Sequence, residues 1–255
     1  MPIGGCLPMN INLYEELSMN AHPSLKTQHY DGWVLRFSNG YTNRANSVNP
    51  IYPGFIPTPE KVISCEEKYT REGLPVVFKL TDASSTELDA YLHKHGYEKK
   101  TPTNLFTANT FPSHKSTRLV TVREHIDSAW QDHFFQLNGL TDIDKIKTAS
   151  AMMENIQSTT LCAQIETDGN VVACGLCVVE RGYAGLYDIV VDSAYRQKGF
   201  GYDLCSTLLS ESTRYGAKSA YLQVVAANTP AIALYEKLGF QQLYQYWYRV
   251  KDMRL

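Results

Sequence analysis

Residues 70–97, TREGLPVVFKLTDASSTELDAYLHKHGY, align without a gap on residues 213–240, TRYGAKSAYLQVVAANTPAIALYEKLGF, at an offset of 143. Thr70, Arg71, Gly73, Ala83, Thr86, Ala90, Lys94 and Gly96 recur as Thr213, Arg214, Gly216, Ala226, Thr229, Ala233, Lys237 and Gly239, and Tyr97 matches Phe240. Both stretches read as helix end, glycine stop, strand, turn, helix, glycine stop and aromatic strand start. Such punctuation arises in any α/β chain, but eight identities favour one supersecondary unit written twice. Upstream the copies differ. Shifting RQKGFG (196–201) back by 143 lands on PGFIPT (53–58), which lacks the glycine-basic pattern.

Around this frame, period and turn chemistry predict strands at 33–37 and 44–48, a helix near 59–72, a strand at 75–80, a helix at 85–95 and a strand at 97–108. The polar stretch NTFPSHKST (109–117) divides the chain into expected domains 1–110 and 117–255. The second half reads as a strand at 118–122, helical segments at 124–137 and 142–157, and an antiparallel meander through LCAQIE, NVVACGLCVVE and GYAGLYDIVV. A helix at 201–215, a strand at 219–225, a helix at 229–238 and a strand at 240–250 complete it. The expected class is α+β (α/β): a mixed, mostly antiparallel twisted sheet flanked by helices, complete in the C-terminal half and partial in the N-terminal half.

A net charge of −2 gives no global bias toward nucleic acid or a membrane surface. No stretch reaches the roughly 20 apolar residues of a membrane helix, and no leader is read at the N-terminus, so a soluble, cytoplasmic protein is expected. Six cysteines stand at 6, 65, 162, 174, 177 and 205. Cys174 and Cys177 form a C-x-x-C, but on a strand positions three apart point to opposite faces, which argues for buried thiols rather than a metal or redox pair. His93, His95, His125 and His133 lack ligand spacing, so no metal is expected.

RQKGFG sits between the apolar run LYDIVV and the helical YDLCSTLLSESTRYG. A helix N-terminus leaves about four amides without intrahelical partners and carries partial positive charge. Glycines bare those donors, and Arg196 and Lys198 add charge, which makes a phosphate cradle. The loop alone is equally a solvated glycine turn. Its context decides: Arg196, Gly199 and Gly201 fit Q/R-x-x-G-x-G/A, and Asn228, Ala231, Leu234, Tyr235, Gly239 and Phe240 fit the signature that follows. Over about 171–245 this resembles the GCN5-related N-acetyltransferase (GNAT) superfamily, and the whole chain resembles its two-part members, with a degenerate N-terminal half. A dinucleotide fold is excluded, because RQKGFGYD lacks the third glycine of that fingerprint.

The resemblance implies an acetyl-CoA-dependent N-acetyltransferase in which a primary amine attacks the thioester directly. It implies that Ile189, Val190 and Val191 offer backbone to the pantetheine arm, and that Arg196, Gln197, Lys198, Gly199, Phe200, Gly201 and Tyr202 hold the diphosphate. Asn228 would touch the cofactor arm or merely cap a helix. Tyr235 would be the general acid, or an ordinary core tyrosine. Close relatives that acetylate protein N-termini carry Glu where this chain has Gln223, so the general base is vacant; Asp188 and Glu180 are the nearby carboxylates, each read first as an ordinary solvated or ion-paired group, and a water chain to bulk would also serve. Arg44, Asn46 and Ser47 line an acceptor pocket or belong to a plain surface strand or turn. The alternative function is a non-catalytic acyl-CoA-binding regulatory module. The expected partners are acetyl-CoA and an amine acceptor of unread identity, with no nucleic acid and no membrane, in a monomer or homodimer.

Overall fold

Gly73 and Gly216, at equivalent places in the two aligned stretches, both take positive φ (69° and 85°), as do Gly96 and Gly239 (84° and 90°). Each stops a helix and turns the chain into a strand. The computed structural model describes residues 11–111 and 116–252. Cys6, the leader reading and part of the 109–117 connector lie outside the described residues.

The elements are α1 (Ile11–Ala21), β1 (Lys26–Tyr30), β2 (Trp33–Phe37), β3 (Val48–Pro50), α2 (Thr58–Arg71), β4 (Val76–Thr81), α3 (Thr86–Lys94) and β5 (Glu98–Ala108). They continue as β6 (Thr121–Arg123), α4 (Ser128–Leu137), α5 (Ile143–Glu154), β7 (Thr159–Thr167), β8 (Asn170–Glu180) and β9 (Tyr183–Val191). Last come α6 (Phe200–Ser212), β10 (Ser219–Val225), α7 (Thr229–Lys237) and β11 (Gln241–Lys251).

The described strands form one sheet, in the order β1-β2-β3-β4-β11-β5-β10-β9-β8-β7-β6. Most pairings are antiparallel. The parallel ones, β3 with β4 and β9 with β10, each flank a crossover helix, α2 or α6. The order is mirrored about the β11/β5 pair: β4 and β10 lie outside it, then β3 and β9. Each aligned stretch delivers its last strand to the other, because β5 pairs with β10 and β11 pairs with β4. The two sequence halves therefore share backbone hydrogen bonds in the centre of the sheet.

The meander strands alternate as expected of a sheet covered on both faces. Cys177 and Val179 share a core with Leu204 and Leu208 of α6, whereas Cys174, Leu176 and Val178 share one with Trp130 and Phe134 of α4. The two sulfurs of the C-x-x-C thus sit on opposite faces. Burial pushes both thiols up, Cys174 to about 12. The expected strand at 44–48 is corrected: Asn43–Ala45 is a 3-10 turn, and only Val48–Pro50 pairs. Thr42 and Asn46 explain it, since their side chains take amides that a ladder would use. Asn46 Oδ1 accepts from the amides of Ser38 (2.7 Å) and Gly40 (3.0 Å).

Helix α1 lies across the seam. Glu15, 1% exposed, accepts from Lys79 Nζ of β4 at 2.5 Å and from the Tyr244 hydroxyl of β11 at 2.6 Å. Lys79 also stands 4.0 Å from the Tyr246 ring centroid. Removing one partner of an enclosed ion pair strands the other, at a cost of about 3–5 kcal/mol. Glu15→Ala should therefore lose about that much in urea denaturation. Glu72→Ala, which breaks the exposed Lys26–Glu72 pair, should lose under about 1 kcal/mol. Equal losses would contradict this assignment. No described helix is long and apolar enough to cross a membrane.

Candidate active site

Strand β9 parts from β10 midway. Its parallel pairing runs only from Tyr183–Leu186 against Ser219–Leu222, while β10 continues to Val225 against β5. Where the strands part, the register of β9 against β8 also shifts, between Cys174/Val190 and Leu176/Tyr187. The extra residue is a β-bulge built on Asp188, whose φ is +54°. Gly175 opposes the bulge, and a Cβ there would lie 2.7 Å from Ile189 Cδ1. The bulge sends Ile189 toward the α6 core and Asp188 to the face covered by α1 and α5. On the β10 side, Ile189, Val190 and Val191 have no neighbouring strand, and all three are half-buried.

The chain then passes through a 3-10 turn (Ser193–Tyr195) into the glycine loop. Arg196 folds back, its Nε donating to Val191 O at 3.1 Å. Gln197 and Gly199 take φ of +59° and +87°, and Gly199 begins α6 with no side-chain cap. Among the described residues, the amides of Gln197, Lys198, Gly199, Phe200 and Gly201 donate to no protein group. A Cβ on Gly201 would stand 3.1 Å from Leu234 Cδ2, so its bareness lets the start of α6 pack on α7. Phe200 is buried beneath the loop, while Lys198 is exposed. Tyr202 lies beside Lys237, whose Nζ is 5.0 Å from its ring.

Sequence reasoning missed the brace of this loop. Arg118 donates through Nη2 to Lys198 O at 2.7 Å, pairs through Nη1 with the Asp203 carboxylate, and stacks 4.2 Å above Phe200. Its partners lie some 80 residues downstream, and no local pattern announces it.

The first half supplies an internal comparison. By the offset of 143, the amides of Phe55 and Ile56 correspond to those of Lys198 and Gly199. There the donors are taken: Asp31, from the turn between β1 and β2, accepts from both at 2.9 Å, and Lys61 pairs with the same carboxylate at 3.1 Å. Those amides hold the Asp31 carboxyl below its ordinary range. At 55–56 the amides are filled by the chain's own carboxylate, whereas at 197–201 they are open.

Tyr235 sits on the inward face of α7, its ring 6.2 Å from Phe240. Its hydroxyl has no hydrogen-bond partner among the described residues. Burial, with a smaller effect of Cys205, pushes the phenol well above its ordinary value, so it is protonated near neutral pH. Asn228 caps α7 by accepting from Ala231 N at 3.3 Å through Oδ1, which leaves its side-chain NH2 for other partners. Gln223 is clamped: its Nε2 donates to Ser18 Oγ at 2.7 Å, and Tyr246 donates to its Oε1 at 3.0 Å. Glu180 accepts from Asn20 and Ser158 and pairs with Arg181. Asp188 has neither a hydrogen bond nor an ion pair among the described residues. Burial raises its carboxyl to about 6, against the opposing pull of Arg44.

Of the three expected acceptor-side residues, Asn46 and Ser47 are buried scaffold, and only Arg44 reaches the seam. The described residues hold no cluster of His, Cys, Asp and Glu able to bind a metal.

Known proteins resemble this chain over most of its length. The family model described as "Probable histone acetyltransferase Rv0428c C-terminal" matches residues 9–249. The chain is 29% identical over 247 residues to an uncharacterized N-acetyltransferase, YobR, of Bacillus subtilis (strain 168), covering 95% of this chain and 99% of that one. A GCN5-related N-acetyltransferase from Kribbella flavida superposes with a TM-score of 0.71 at 13% identity, covering 96% of both chains. A tandem GNAT protein from the clavulanic acid biosynthesis pathway superposes with a TM-score of 0.59 at 12% identity, covering 80% of this chain and 75% of that one.

Proposed function

This chain belongs to the Rv0428c C-terminal acetyltransferase family, within the GCN5-related N-acetyltransferases, and on that footing we propose that it transfers an acetyl group from acetyl-CoA to a primary amine. The observation that carries the cofactor side is the run of open amides from Gln197 to Gly201, set against the filled amides of Phe55 and Ile56. Donors at a helix start with no protein acceptor suit a diphosphate. Arg196 and Lys198 add charge, and Phe200 and Tyr202 pack the loop. The unpaired edge of Ile189–Val191 suits the amide-bearing pantetheine arm, and the free NH2 of Asn228 suits its carbonyls.

In this reading the thioester lies between the bulge of β9 and Tyr235. The amine nitrogen attacks the thioester carbonyl carbon, a C–N bond forms, and the C–S bond breaks. Tyr235 gives its proton to the departing thiolate, which a neutral phenol kept protonated by burial is suited to do. The positive charge on nitrogen is relieved by proton transfer to Asp188. Gln223 cannot take that proton, because a carboxamide is not a useful base. Glu180 is already engaged by three partners.

Release of free thiol from acetyl-CoA, followed across a panel of primary amines, tests the reaction. Asp188 can accept a proton only when ionised, so kcat/KM should rise with pH through about 6 and fall away below it. Asp188→Asn should remove that limb and lower kcat/KM by about 10²–10³-fold, within the usual worth of a general base. An unchanged limb in the variant would show that another group titrates. No thiol release with any amine would count against the reaction itself.

A further inference from the structure

Enclosed cations in this fold are matched, with one exception among the described residues. Lys79 is paired with Glu15 at 2.5 Å, Lys61 with Asp31 at 3.1 Å and Arg249 with Asp89 at 2.8 Å. Arg36 donates to backbone carbonyls, including that of Arg44 at 2.7 Å. The Arg44 guanidinium makes no hydrogen bond and no ion pair among the described residues, and its Nε is fully enclosed without a partner. It lies within electrostatic reach of Tyr246, Tyr248, Tyr187 and Asp188. Asp188 is unpaired as well, and Arg44 is the charge that acts on it. A guanidinium and a carboxylate thus lie within electrostatic reach of each other with no ion pair between them. An uncompensated charge in such surroundings is costly, and two opposite charges left open within reach of each other suit a ligand bearing both opposite charges.

We propose that the acceptor is a primary amine carrying a nearby carboxylate, as α-amino acids do, with Arg44 holding the carboxylate while Asp188 faces the amine. This rests on the acetyl-transfer reading above and narrows its substrate. Arg44 is a specificity residue here: its fork matches a carboxylate, and it takes no part in the bond changes. The surroundings suit such a ligand. A 20 Å³ void beside Asp188 is walled by Tyr41, Leu176 and the thioether side chains of Met152 and Met153, which yield readily. Pro23 is the common wall between that void and a 590 Å³ cleft lined by Asn20, His29 and Arg36, which has room for the rest of the acceptor.

The test uses the full chain with saturating acetyl-CoA and thiol detection, comparing a panel of α-amino acids with the matching amino-acid amides. The wild type should prefer the free carboxylates by about 10–100-fold in kcat/KM. Arg44→Gln should raise KM for the acids and bring the acid-to-amide ratio close to one, whatever change in kcat both substrates share through Asp188. Arg44→Lys should restore part of the preference. Acetyl-CoA affinity by calorimetry should be the same in all three proteins, which separates a specificity effect from a folding defect. Equal use of acids and amides by the wild type, or acetylation confined to amines without a carboxylate, would overturn the inference and leave acetyl transfer standing. Absence of acetyl-CoA binding would instead remove the reading on which it rests.

Discussion

Tyr235→Phe should slow acetyl transfer by about 10²–10³-fold in kcat, the range expected when a positioned acid is lost. It should leave acetyl-CoA affinity nearly unchanged. The substitution is unusually clean here, because the phenol oxygen holds up nothing: the hydroxyl has no partner among the described residues, while the ring packs with Phe240. Deleting one oxygen should therefore leave α7 and its core contacts in place. Single-turnover release of free thiol measures the effect, and calorimetry checks that the cofactor still binds. A variant as fast as the wild type would move the acid role elsewhere and return Tyr235 to the core.

Gly199→Glu should weaken acetyl-CoA binding by at least about 100-fold, equivalent to about 2.7 kcal/mol. Two effects add. At φ +87° any side chain is strained by about 1–2 kcal/mol. The new Cβ would also stand 3.3 Å from Arg118 Nη1, carrying a carboxylate beside the bared amides. That charge would do in the second half what Asp31 already does in the first. Gly199→Ala separates the terms, since it keeps the strain without the charge and should lose far less affinity. Unchanged affinity in Gly199→Glu would mean that the diphosphate does not use this loop.

The parts of the fold readable from the chain were those written in local chemistry. Glycine stops after 72, 95, 215 and 238, the Asp168-Gly169 turn, and the alternation of the meander each act within a few residues, and they lie where the pattern put them. The α+β class and the acetyltransferase loop followed from them. What escaped was set by tertiary partners. Helix α1 carries no strong stop signal and earns its place by burying Glu15 against Lys79 and Tyr244. Strand β1, KTQHY, is exposed and polar, and pairs because the Asp31-Gly32 turn folds it onto β2. The exchange of β5 and β11 between the copies has no local mark at all. At the proposed site, Arg196–Tyr202 and Tyr235 could be singled out from the chain because motif spacing is local. Arg118 was not, because its roles depend on Asp203 and on Lys198 O. The bulge at Asp188 was equally hidden: a positive φ on an aspartate inside LYDIVV breaks the alternation that the sequence displays.

The most direct measurement is a crystal structure of the full chain with CoA bound. The diphosphate oxygens should lie within hydrogen-bond distance of the Lys198–Gly201 amides, the pantetheine should run along Ile189–Val191, and the sulfur should sit beside the Tyr235 hydroxyl. A diphosphate bound anywhere else, or a sulfur far from that hydroxyl, would contradict the account.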